Sequence, residues 1–400
     1  MEDFCRRTFE GRSVEGKRLL FVVPDATRTC PVGDLFRILC GLLGPRAAAL
    51  DFLVALGTHP AMTEEHLLRH FGIERSERQG RYAKVGIFNH EWNNPDALTE
   101  VGVFSGRELA ELSGGRIDRD VPVRVNRRLF DYDLVTVVGP VFPHEVVGFS
   151  GGNKYFFPGV AGAEIIDTFH WLGALITNRE INGVRETPVR RVIDRAASLL
   201  PFEKLCLALV MEGRTVRGAF SGSPEDAFRE AAGLSDRVNV LYKEKPFSRV
   251  LSCAPEMYDD LWTAGKCMYK LEPVVADGGE LVIYAPHVRE VSVTHGPILR
   301  RIGYHVRDYF TAQPGRFTDI PGGVMAHSTH VKGVGTYADG VETPRIRVTL
   351  ATGIPESVCR EINLGYLDWR SVRVDDWKDR EREGILLVPK AGEVLFKLKP

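Results

Sequence analysis

The sequence lacks what marks a secreted, membrane-spanning or nucleic-acid-binding chain. Its seven cysteines (Cys5, Cys30, Cys40, Cys206, Cys253, Cys267 and Cys359) are scattered, odd in number and never spaced CxxC. Such a set excludes a disulfide framework and a structural zinc site, and it suits free thiols in a reducing cytoplasm. No stretch approaches the roughly 20 apolar residues of a membrane span. The opening segment MEDFCRRTFEGRSVEGKRLL has no apolar signal-peptide core. Neither sign of charge is in excess, since 52 Lys and Arg against 53 Asp and Glu leave a net charge of −1. A nucleic-acid partner would call for a basic surplus, and an anionic membrane surface for a polybasic segment. Internal repeats and low-complexity tracts are missing as well.

What is present describes a globular chain of more than one domain. The hydrophobic share of 44% and charged share of 26% are ordinary for a packed protein. At roughly 100–200 residues per domain, 400 residues predict two. Forty glycines, one residue in ten, exceed the usual ~7% and imply many sharp turns or close approaches.

Short apolar runs alternate with amphipathic stretches. Arg18–Val23, Asp51–Leu56, Ala83–Phe88 and Leu134–Val138 read as strands. Val32–Leu43, Thr63–Phe71 (with Thr63 as N-cap) and Ser105–Leu112 read as helices. Near-continuous apolar strands separated by helices predict an α/β fold with mainly parallel sheets covered on both faces. Helices are expected at 163–178, 188–200 and 224–232, with strands at 205–211 and 238–242. The rhythm then restarts with a strand at 250–253, a helix at 261–275 and strands at 279–285, 347–350 and 385–389. The expected division is an N-terminal α/β domain over 1–245, a C-terminal α/β domain over 246–383, and a tail, 384–400, packing back on the first. Residues 311–345, rich in Gly, His, Thr and Pro, are expected to form an extended loop.

The strand ends carry the polar chemistry. After the first comes Pro24-Asp25-Ala26-Thr27-Arg28, after the second Gly57-Thr58-His59, after the third Asn89-His90, and after the fourth Pro143-His144. In an open parallel sheet, ligands bind outside the carboxyl ends of the strands. Taken singly, each histidine reads as a hydrogen-bonded loop residue, but four successive strand ends bring Asp25, Arg28 and three imidazoles toward one rim. The run Phe149-Ser150-Gly151-Gly152-Asn153-Lys154 follows. Paired glycines let backbone N–H groups close on an anion, and Lys154 adds a point charge or a nucleophilic amine. It is not a Walker A loop. His170, in an apolar helical segment, reads as a core histidine or as a ligand for nickel, copper or zinc.

These residues resemble the nickel-dependent lactate racemases and related 2-hydroxyacid racemases and epimerases. The resemblance lies in Asp25-Ala26-Thr27-Arg28, in Gly57-Thr58-His59, in Pro143-His144 through Ser150-Gly151-Gly152-Asn153-Lys154 to Gly159, in His170, and more weakly in Trp262-Thr263-Ala264-Gly265-Lys266. It implies a nickel-pincer nucleotide, a pyridinium mononucleotide whose two thiocarboxylate sulfurs and ring carbon hold nickel, in a cleft between the two domains. Lys154 would anchor it as a thioamide, with Ser150, Gly151, Gly152, Thr27 and Asp25 around it. His170 would be the protein's nickel ligand, in a geometry suited to Ni(II). His59 and His144 would be the acid/base pair, and Arg28 and Lys266 would bind the substrate carboxylate. Asp25 would orient a neighbouring basic group.

The implied chemistry fits these residue types. The α-proton beside a carboxylate is very weakly acidic, whereas hydride removal from C2 requires only that the hydroxyl lose its proton. Two opposed bases then serve the two hands of substrate, and imidazole exchanges protons near neutrality. Departures from the family pattern are Asn153 for the usual arginine, Thr29-Cys30-Pro31 after the first motif, and Thr263 where lactate racemases carry glutamine. The implied substrate is therefore left at the class of small 2-hydroxyacids. The implied partners are cofactor-synthesis proteins, with no nucleic acid and no membrane. Two other functions are compatible with the residues: a zinc-type hydrolase using His59, His90, His144 and Asp25, and a non-catalytic relative that carries the nucleotide. His327 and His330 match no part of the resemblance.

Overall fold

The computed structural model describes residues 1–399. The protein is α/β with mainly parallel sheets, and its chain divides into two compact units. One holds Met1–Phe142, Ser150–Ile166 and Arg190–Val238; the other holds Pro143–Phe149, Asp167–Val189 and the chain from Asn239 onward.

In the first unit, β1 (Arg18–Pro24), β2 (Ala49–Ala55), β3 (Ile87–Asn89), β4 (Leu134–Pro140) and β5 (Glu203–Glu212) are parallel. β6 (Thr215–Gly222) closes the sheet antiparallel to β5, in the order β6-β5-β4-β1-β2-β3. Their apolar composition follows from burial on both faces: every residue of β4 is buried, as is all of β1 after Arg18. On one face Phe21, Phe36, Phe52 and Phe71 interlock, with ring centroids 4.9–5.5 Å apart. Truncating Phe52 there would cost about 3–5 kcal/mol. Thr63 caps the helix Glu64–Phe71 by accepting the His66 N–H, and Gly72 ends it in the left-handed region.

The second unit is built on β7 (Phe247–Cys253), β8 (Val275–Ala285), β9 (Arg347–Thr352), β10 (Gly365–Tyr366) and β11 (Ile385–Val388), all parallel, in the order β10-β9-β8-β7-β11.

A single cut at residue 245 does not describe this chain. The segments bearing His144 and His170 both belong to the second unit. Pro143–His144 pairs with Gly148–Phe149 in a tight hairpin, held by the Gly183 N–H on Gly148 O and by Lys270 Nζ on Pro143 O. The tail belongs to the second unit rather than the first, since β11 adds to β7 and Leu395–Leu398 pairs with Val240–Lys243. The expected loop at 311–345 contains the helix Gly322–Lys332 and a hairpin of Gly335–Ala338 with Val341–Pro344. The expected helix at 261–275 is broken into Leu261–Ala264, Lys266–Tyr269 and a 3-10 turn at Glu272–Val274.

Candidate functional site

In the first unit the turn after β1 folds around one carboxylate. Asp25 is 6% exposed and both its oxygens are engaged. Oδ1 accepts from the Thr27 N–H at 3.1 Å and the Thr27 hydroxyl at 2.7 Å, and Oδ2 pairs closely with His59 Nδ1. Arg28 Nη1 donates to Thr27 Oγ1 at 2.9 Å, and its guanidinium lies 5.6 Å from the Phe142 ring centroid. Burial alone would raise the Asp25 carboxyl, but the charges of His59 and Arg28 and the bonds from His59 and Thr27 hold it well below the usual carboxylate range. An ionised carboxylate only accepts, so His59 carries a proton on Nδ1, which in the neutral ring leaves the lone pair on Nε2.

The glycine turn is packed from beneath. Gly151 and Gly152 have φ of +91° and +60°. A Cβ on Gly151 would lie 2.4 Å from Val141 Cγ2, and one on Gly152 2.8 Å from Pro224 O. Buried Arg190 donates from Nη1 to Gly151 O at 3.1 Å and stacks 4.0 Å from the Phe228 ring centroid. The Ser150 hydroxyl donates to Pro140 O and accepts the Phe142 N–H, both at 3.0 Å, while its own N–H bonds Phe142 O. Ser150 therefore closes the loop, and both its donors are used within it. Lys154 sits on this rigid base. The turn is stitched to the His59 loop, with the Gly159 N–H on Lys154 O at 3.1 Å and the Gly57 N–H on Gly159 O at 2.9 Å. The first unit thus brings Asp25, Thr27, Arg28, His59 and the Lys154 turn into one neighbourhood.

Asn153 is turned toward carboxylates of the protein itself. It is buried, and Nδ2 donates to Asp194 Oδ1 at 3.0 Å and Glu225 Oε1 at 2.7 Å. His90 departs from the expected rim, because Nε2 donates to Ala161 O at 2.9 Å and Nδ1 accepts from Asn126 Nδ2 at 3.1 Å. Burial pushes this imidazole down to about 4. With both nitrogens used, His90 is a neutral core residue and leaves no lone pair for a metal.

The second unit gathers His144, His170 and Lys266. Buried His144 accepts the Val146 N–H on Nδ1 at 3.2 Å, which in the neutral ring puts the proton on Nε2. Lys266 is buried, with Nζ 4.6 Å from the Tyr258 ring centroid. The Thr263 hydroxyl is spent on Asp260, whose side chain caps the helix Leu261–Ala264. The helix Gly322–Lys332 packs where the Gly323 N–H reaches Asp167 Oδ1, one turn before His170. It places His327 against Trp262 at 4.2 Å between centroids, and Trp262 in turn lies 4.5 Å from His295. Burial, then the charges of His330, His295, His170 and Lys266, holds His327 well below the ordinary imidazole value. Burial likewise pushes His330 down to about 4, against the pull of Glu145.

Glu145, Arg190, Trp262 and His295 were not among the expected site residues. His327 and His330 had no assigned place because a loop was expected where they share one face of a helix. Among the described residues, no three His, Cys, Asp or Glu side chains converge as a metal-holding set. A zinc hydrolase built on three protein ligands finds no support in this donor arrangement. Among the same residues no helix is long and apolar enough to cross a membrane.

Fold and motif together define a two-unit α/β protein with a carboxylate–imidazole pair and a lysine-bearing glycine turn, and known proteins are similar to it in sequence and fold. The family model described as the lactate racemase N-terminal domain matches residues 5–183. The lactate racemase of Thermoanaerobacterium thermosaccharolyticum is 23% identical over 277 residues, which cover 68% of this chain and 60% of that one. The crystal structure of a Thermotoga maritima protein matches at TM-score 0.92 and 33% identity, covering 100% of this chain and 97% of that one. The lactate racemase apoprotein of T. thermosaccharolyticum shares the fold at TM-score 0.75 and 18% identity, covering 99% of this chain and 92% of that one. The matched part of the chain, residues 5–183, belongs to the lactate racemase N-terminal domain family, and the chain as a whole shares the fold of the lactate racemase apoprotein.

Proposed function

We propose that the protein is a racemase or epimerase that inverts C2 of a 2-hydroxyacid with a nickel-pincer nucleotide as hydride carrier. The observation that carries this is the opposite bonding of the two candidate acid/base imidazoles. His59 donates from Nδ1 to Asp25 and offers a lone pair at Nε2, whereas His144 accepts at Nδ1 and carries its proton on Nε2. Inversion at a carbinol carbon needs one group to take the hydroxyl proton and one to return it, and these imidazoles are prepared for those two tasks.

The donor set fits the cofactor. Lys154 offers a primary amine on a turn that admits only glycine at 151 and 152, where a Cβ would meet Val141 and the Pro224 carbonyl, and His170 offers an imidazole nitrogen. When bound, the nickel-pincer nucleotide would accept hydride from C2 and give it back. His59 takes the hydroxyl proton at Nε2, and Asp25 stabilises the imidazolium that results. His144 supplies the Nε2 proton when the other hand is formed. Arg28 and Lys266 hold the substrate carboxylate as fixed cations. Thr27 keeps Asp25 and Arg28 in register through its hydroxyl. The protein would be a cytoplasmic client of cofactor-synthesis proteins, and it needs neither nucleic acid nor membrane.

The test is a panel of 2-hydroxyacids, assayed by chiral chromatography with protein co-produced with the cofactor-synthesis proteins. Inversion with deuterium retained at C2 is expected. Complete loss of deuterium to water would mean proton abstraction and would overturn the proposal. Intact mass should show an adduct on the wild type and none on Lys154→Ala.

A further inference from the structure

The hairpin that carries His144 holds a carboxylate that the chemistry above does not use. Glu145 has a side chain only 13% exposed, and its Oε2 lies 3.5 Å from His144 Nδ1. That nitrogen also accepts the Val146 N–H at 3.2 Å. The two neighbours act oppositely: an N–H donor favours the lone pair, and a carboxylate favours a proton. Lys270 and Lys266 supply positive charge around Glu145, and against the effect of burial they help keep it ionised. Lys270 also donates to the Pro143 carbonyl, one residue before His144. The cation that balances Glu145 therefore pins the hairpin that presents the imidazole.

We infer that Glu145 is the counter-ion of His144, a positioning residue that stabilises the ring's doubly protonated form as Asp25 does for His59. While His144 is neutral, Val146 satisfies Nδ1. When the ring takes a second proton at Nδ1, that N–H faces the carboxylate and an ion pair replaces the backbone bond. The two imidazoles then each have a private carboxylate, one hydrogen-bonded throughout and one engaged only on protonation. The consequence for catalysis rests on the proposed racemase function, but the pairing itself does not.

The experiment is a histidine-selective 15N NMR titration of the full-length protein without cofactor, with His144 assigned through His144→Gln. Glu145→Gln should lower the His144 midpoint by about one to two units, and Glu145→Asp, which keeps the charge, by less. Unchanged resonances of His305, whose Nδ1 is paired with Glu342, report a retained fold. Should Glu145→Gln alone fail to fold, Glu145→Gln is introduced into Lys270→Met, and the double variant should show the fall when read against Lys270→Met alone. A His144 midpoint unmoved in these variants overturns the inference. A shifted midpoint in a protein that inverts no 2-hydroxyacid sustains the counter-ion and refutes the racemase proposal; an unmoved midpoint with intact inversion does the reverse.

Discussion

The carboxylate of Asp25 and Nδ1 of His59 meet across 34 residues of sequence, joining the turns after two adjacent parallel strands. Their closeness follows from the sheet: β1 and β2 run in register from Arg18 with Ala49 to Pro24 with Ala55, so the residues that follow each strand emerge side by side. Thr27 holds the other carboxylate oxygen, which leaves Asp25 one orientation and His59 one tautomer.

Asp25→Asn should therefore lower kcat for 2-hydroxyacid inversion by about 100- to 10,000-fold with little change in KM. An asparagine can turn its NH2 toward Nδ1 and stabilise the opposite tautomer, with the proton on Nε2 where a base is required. Steady-state kinetics in both directions on cofactor-loaded protein check this. A fall confined to KM would assign Asp25 to substrate binding.

Much of this first unit was legible. Asp25, Arg28 and His59 follow strands whose uninterrupted apolar composition shows their burial, and residues at the ends of neighbouring parallel strands must be neighbours. The helix Gly322–Lys332 was not legible, because GGVMAHSTHVK has two glycines, several β-branched residues and no apolar stripe. Burial of Val324, Ala326, Ser328 and Val331 forms it in spite of propensity. The passage of His144 and His170 into the second unit was equally hidden, since it depends on long-range contacts such as Lys270 with Pro143 O. His90 was misplaced for the opposite reason: its strand-end position looked like that of His59, and only its partners Ala161 and Asn126 show it to be core.

His90 gives the protein an acid-sensitive step. Its folded value is near 4 and the unfolded value about 6.5, so below pH 6.5 the unfolded chain binds the proton first. Its contribution is complete above about pH 6.5 and is lost as pH falls toward 4, a change of about 3 kcal/mol. Urea unfolding of wild type and His90→Gln across this range should give midpoints that converge as the solution becomes more acidic. A constant difference would mean that His90 is already charged in the folded protein.

Gly151→Ala and Gly152→Ala should each destabilise the first unit by about 1–3 kcal/mol or more. Both residues have positive φ, and the added methyl groups would meet Val141 and the Pro224 carbonyl at under 3.0 Å. Thermal unfolding checks this. Gly11→Ala is the control, since it shares the positive φ (+73°) but has nothing within 4 Å of the added Cβ. A Gly151→Ala loss no larger than the control's would show that Val141 does not buttress the turn.

Thr177 should be a site where a glycine stabilises the protein. It precedes the short helix Asn178–Ile181 with φ of +92° and ψ of 145°, a region that a β-branched residue occupies only under strain of about 1–3 kcal/mol. Glycine removes that strain, although its greater freedom in the unfolded chain returns about 0.5–1 kcal/mol of the gain. Thr177→Gly should thus raise the unfolding temperature by a few degrees, corresponding to about 1 kcal/mol. Thr177→Ala, which keeps a Cβ and so most of the strain, should not. Scanning calorimetry of the three proteins separates the cases. Equal rises in both variants would trace the effect to the threonine hydroxyl or methyl rather than to the backbone, and a fall in Thr177→Gly alone would mean that the left-handed conformation at this position carries no strain.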